Sequence, residues 1–213
     1  VLAGLGGIDA LIGKDMKLFS GVTNALLRFI DRDGRGEITD FLSRVRVDQG
    51  AILQISPEAM DLFNAAVEGA EHVRYGCMVC ASPRPATMRA ARRIRSPYGA
   101  LTAALYTTLY QFAGQRHAQY AYARPSREVE LTLARAIGRT VADGDSDGIV
   151  PTLSMLWGDL LWAGEADHLD SIGHFLDDER PAIHTDWLTS GAHFTRKDFA
   201  KLVEAAVAYQ LKS

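Results

Sequence analysis

Two short apolar stretches, His72–Cys80 and Leu160–Ala163, read as β-strands in a chain whose other apolar periodicity is helical. The first carries Val73, Tyr75 and Val79, with Gly69 on one side and Pro83 and Pro85 on the other, the punctuation that brackets strands. Apolar residues at helical spacing cover 1–46, 99–113, 127–138 and Thr195–Leu211. A further helix opens at Ser56-Pro57-Glu58 and runs to about Val67. There Ser caps, Pro fits the first turn, and the early Glu faces the positive end of the helix dipole.

The chain has 213 residues, of which 47% are hydrophobic, enough apolar material for one sizeable core. Its 23 basic and 26 acidic residues leave a net charge of -3, which gives no electrostatic argument for nucleic acid or an anionic membrane as partner. No apolar run approaches the roughly 20 residues of a transmembrane helix.

Several local patterns imitate known chemistries. Asp31, Asp33, Gly36 and Ile38 copy the opening of a calcium-binding helix–loop–helix, but Arg35 and Leu42 stand where oxygen ligands belong, so a capped turn is the better reading. Cys77 and Cys80 lack the further ligands zinc requires and sit in a predicted strand, which makes them buried structural cysteines. Gly4-Leu5-Gly6-Gly7 matches a phosphate loop only in part, and no strand precedes it. The basic stretch 82–97, with Arg84, Arg89, Arg92, Arg93 and Arg95, reads as a solvated loop and helix face.

The strongest pattern is Ser146-Asp147-Gly148-Ile149-Val150-Pro151 followed by Asp167-His168-Leu169-Asp170. A carboxylate after one strand and a histidine in the loop after the next form the later half of a Ser…Asp…His triad. The histidine takes a proton from a nucleophile, and a carboxylate on its other nitrogen fixes the tautomer and stabilises the imidazolium. By this pattern Asp147 is the acid and His168 the base.

Residues 146–175 resemble the C-terminal segment of bacterial triacylglycerol lipases and related esterases of the α/β-hydrolase fold. In that family an Asp-Gly-Val-Val step carries the triad acid and a His-Leu-Asp step the base. Ser154-Met155-Leu156-Trp157-Gly158 resembles the approach between them. Leu53–Ala59, then Phe63-Asn64, then Val73–Gly76 is similar to the family's segment after the lid, while 82–140 matches poorly. The resemblance implies one incomplete α/β-hydrolase domain over 1–213. Residues 1–50 would be a helical lid-like segment, 51–82 a helix and core strand, 83–142 a helical insertion, and 143–213 the core bearing Asp147 and His168. It implies an apolar ester or lipid as substrate and no cofactor. Some of these lipases bind a structural calcium through the Asp two residues after the catalytic His. Asp170 matches that Asp, but His174 replaces the glutamine expected further on, so no metal is assigned.

A nucleophile is missing: none of the serines 20, 43, 56, 82, 96, 126, 146, 154, 171, 190 and 213 lies in Gly-x-Ser-x-Gly, and neither cysteine lies between glycines. The resemblance implies that the serine belongs to an N-terminal half of the same protein outside these residues. The alternatives are a pseudoenzyme that has lost the serine of an elbow remnant at Gly4–Ala10, and a non-catalytic helical binding or regulatory module with 31–42 as a degenerate calcium sensor.

Overall fold

The computed structural model describes residues 57–67, 69–85, 97–115, 124–177 and 186–211. The expected helices of 1–46, the lid-like segment 1–50, the glycines at 4–7, the calcium-like loop 31–42, the Ser56 cap and Arg89–Arg95 lie outside them. Two compact units divide between Glu68 and Gly69. The described part of the first is helix α1, Pro57–Ala66, which begins at the proline whose fixed φ suits a first helical turn.

The second unit is mixed α/β. In chain order it holds β1 (Gly76–Cys80), α2 (Pro97–Gln115), α3 (Arg127–Ile137), β2 (Asp159–Gly164) and α4 (Arg196–Gln210). The strands pair in parallel from Gly76↔Asp159 to Cys80↔Gly164. A parallel pair requires a crossover, and the chain between the strands carries α2 and α3.

β1 is shorter than the predicted His72–Cys80. Its partner begins only at Asp159, so the pairing opens at Gly76 and Tyr75 adds only its carbonyl, which accepts from the Asp159 amide. The register slips between Cys77 and Met78, whose partners are Leu160 and Trp162. Leu161 is therefore an extra residue in β2, and a Cβ on Gly76 would come within 2.7 Å of its side chain.

That slip sorts the core. Cys77, Val79, Leu160 and Ala163 pack with Leu133 and Ile137 of α3. Cys80, Met78 and Trp162 pack on the other face with Phe175, Phe194, Phe199 and Leu202, the last two from α4. The sheet thus lies between two helices, each buried side chain of Leu or Phe size contributing about 1.5–3 kcal/mol. α3 starts at Ser126, whose hydroxyl accepts from the Val129 amide, and stops at Gly138 with φ 79°. α4 is capped by Thr195, which accepts from the Asp198 amide. A third cluster joins Tyr106 and Tyr110 of α2 to Leu188, with Leu169 against it. No described helix is long and apolar enough to cross a membrane.

Candidate functional site

The carboxyl ends of parallel strands are where α/β folds place their sites, because the loops there converge on one edge. β2 ends at Gly164 and runs into the loop bearing His168. Asp147 arrives differently. It does not follow β1 directly but sits on a turn, beyond α3, that is tied to the residues just after β1. Ser82 donates to the Ser146 carbonyl from both its amide (2.9 Å) and its hydroxyl (3.0 Å).

The structure brings Asp147 and His168 together, with Asp147 Oδ2 and His168 Nδ1 2.8 Å apart. The other carboxylate oxygen, Oδ1, accepts from the amides of Ile149 (2.9 Å) and Val150 (2.7 Å), which orients the group. The His168 amide donates to the Asp147 carbonyl at 2.9 Å, so the two loops are also joined through their backbones. Asp147 is buried, whereas the His168 side chain is 38% exposed. A carboxylate only accepts, so Nδ1 carries the proton and the neutral ring presents its lone pair at Nε2. Nε2 has no hydrogen-bond partner among the described residues.

The hydrogen bond that His168 donates to Asp147 raises the His168 pKa above its ordinary value; burial opposes the rise, and the charges of Asp147 and Asp167 add to it. Asp167 is buried behind the histidine. It accepts from the hydroxyl of Ser190 (2.6 Å) and from the amides of Leu169 (2.9 Å) and Asp170 (3.1 Å). Burial nonetheless pushes its carboxyl above the ordinary range. Both shifts act on stability in the same direction. Pairing of protonated His168 stabilises the fold fully below the unfolded pKa of about 6.5, and the gain is lost as pH rises through the higher folded value. Charging Asp167 costs stability over a window above about pH 4. Urea melts at pH 5 and pH 8 are therefore expected to show the more stable fold at pH 5. The His168 ring protons, followed by NMR, should titrate above 6.5 and return toward it in Asp147→Asn; an unshifted wild-type titration would show that the pair does not form.

Asp170 shares this loop, but its Oδ2 accepts from the Asp167 amide at 2.8 Å. Among the described residues no group of three or more His, Cys, Asp or Glu is arranged to hold a metal ion. Cys77 and Cys80 are free and buried, in separate clusters on the two faces of the sheet. Burial pushes the Cys80 thiol far up, and Asp147, Asp170 and Asp167 add to it, the opposite of an activated nucleophile.

Sequence reasoning missed the support behind Asp147. Arg84 is not a purely solvated cation: its Nε donates to the buried Asp145 at 3.1 Å. Asp145 was indistinguishable from its neighbours in a polar turn, and only the count of nearby arginines hinted at a buried acid. A cleft of about 370 Å³ lies beside Arg84, Tyr110 and Asp145, and neither Asp147 nor His168 lines it. No protein family, curated protein or solved structure matches the chain.

Proposed function

We propose that this chain provides the acid and base of a lipase/esterase-type hydrolase, as the C-terminal part of an α/β-hydrolase fold. Asp147 and His168 serve a serine nucleophile carried outside these residues. The observation that carries the reading is the 2.8 Å contact between Asp147 Oδ2 and His168 Nδ1, with Nε2 left open. His168 Nε2 takes the serine proton as the oxygen attacks the ester carbonyl, and Asp147 stabilises the imidazolium. The same proton then goes to the leaving alkoxide, and water repeats the cycle on the acyl-enzyme.

Serines within the described residues have other duties. Ser82, Ser146 and Ser190 are buried. Ser126 caps α3, and Ser154 and Ser171 donate to the carbonyls of Pro151 and His168. The test is a fluorophosphonate probe, which phosphonylates only activated serines with loss of fluoride, applied to the polypeptide as its gene encodes it. One serine is expected to label, and His168→Ala to abolish the labelling. Absence of a labelled serine, or undiminished labelling in His168→Ala, overturns the reading.

A further inference from the structure

We propose that Asp145 is a positioning residue for the Asp147–His168 pair, holding the turn that carries Asp147 against the end of β1. The proposal rests on the reading of that pair as acid and base.

Asp145 is 1% exposed, two residues before Asp147. Its carboxylate collects donors from four separate places in the chain. Arg84, just past β1, gives Nε at 3.1 Å and Nη2 at 3.4 Å. Tyr110 of α2 gives its hydroxyl at 3.1 Å. Arg139, just past α3, gives Nη1, and the Ala142 amide donates at 2.7 Å. The backbone of Asp145 is held as well: its amide donates to the Ala142 carbonyl (3.0 Å) and its carbonyl accepts from the Thr152 amide (2.9 Å).

These contacts converge on the residue that anchors the turn. Arg139 Nη2 donates to the Ser82 carbonyl at 3.1 Å, and Ser82 in turn holds Ser146. The Tyr106 hydroxyl lies 2.7 Å from Ser82 Oγ. Its ring also backs the turn, since a Cβ on Gly148 would stand 3.1 Å from it. Asp145 thus fixes the residue before Asp147 through Arg139 and Ser82, and the chain after it through Thr152. One carboxylate facing two arginines has no neutral substitute, because losing it leaves the largely buried Arg139 and the more exposed Arg84 unopposed.

The groups whose charges raise His168 are Asp147 and Asp167, and Asp145 is not among them. Asp145→Asn also removes a charge near the pair, so Tyr110→Phe, which takes a donor from Asp145 and alters no charge, is the variant that separates the placement of Asp147 from a change of field. The experiment follows the His168 ring protons by NMR through a pH titration, alongside a thermal melt, in wild type and Asp145→Asn. The His168 pKa is expected to fall toward 6.5 in the variant. Tyr110→Phe and Arg84→Gln each remove part of the cluster and should move the titration the same way by less, which keeps the test open if Asp145→Asn does not fold. Lowered melting temperatures with an unmoved His168 titration in the folded variants overturn the proposal, since a purely structural carboxylate behaves that way. Shifted titrations combined with full serine labelling in His168→Ala would remove the catalytic reading and leave the positioning role standing.

Discussion

On the proposed hydrolase function, Asp147→Asn is expected to lower ester turnover by about 10⁴-fold, the scale on which serine triads respond to loss of the acid's charge. Asn keeps the volume and the turn, because its side-chain oxygen can still accept from the amides of Ile149 and Val150. It changes what faces His168 Nδ1. An amide NH₂ in the place of Oδ2 makes Nδ1 the acceptor, moves the proton to Nε2, and removes the lone pair that must take the serine proton. His168→Ala should lose at least as much, and the double variant no more than His168→Ala, because the two residues act as one device. The decisive measurement is kcat on a chromogenic ester, made on the polypeptide as its gene encodes it. Losses that multiply in the double variant, or a turnover within a few fold of wild type in either single variant, would show that the residues do not work as a pair.

Gly158→Ala is expected to be the most damaging single-methyl change among the described glycines, costing about 4 kcal/mol or more. Gly158 has φ 70°, a left-handed conformation that costs an L residue roughly 1–2 kcal/mol by itself. The larger part comes from space. A Cβ there would stand 2.1 Å from the Tyr75 carbonyl oxygen and 2.5 Å from its carbon, and both are backbone. Tyr75 cannot retreat cheaply: its carbonyl accepts from the Asp159 amide (2.9 Å) and from the Tyr209 hydroxyl of α4 (2.9 Å). Relief would open the start of the sheet and loosen the C-terminal helix together. Gly138→Ala is the control, because that glycine has φ 79° and nothing within 4 Å of an added Cβ. Urea unfolding should place Gly158→Ala several kcal/mol below Gly138→Ala. Equal costs would mean that the close approach of Gly158 to Tyr75 does not limit the fold.

Helices were largely legible because apolar spacing and caps are local. Pro57 begins α1, Ser126 and Gly138 bracket α3, and Thr195 caps α4, each at or within a residue or two of where the sequence places it. Strand limits were less so. Val73 and Tyr75 have strand-forming side chains, but a strand exists only opposite a partner, and the register with β2 decides that the ladder opens at Gly76. The pairing of Cys77 and Val79 with one face and Cys80 with the other follows from alternation along β1. The bulge at Leu161, which brings Leu160 and Ala163 to a common face, does not.

The turn Asp143-Gly-Asp145-Ser-Asp147 shows where reading ended. In sequence it offers three identical carboxylates at alternate positions, and spacing to His168 with the following Gly-Ile-Val step singles out Asp147 alone. The fold gives each a different fate. Asp143 stays at the surface, 54% exposed and paired with Arg124 at 2.6 Å. Asp145 is buried among Arg84, Arg139 and Tyr110. Asp147 is buried against His168. A carboxylate's chemistry depends on how much water it loses and which donors replace that water, and donors that distinguish the three acids, at Arg124, His168, Tyr110 and Arg84, come from 19 to 61 residues away in the chain. Residue type and spacing determined that this segment holds acids and one histidine in reach of them; desolvation and distant partners, which exist only once the chain is folded, decided which acid holds the structure and which holds the histidine.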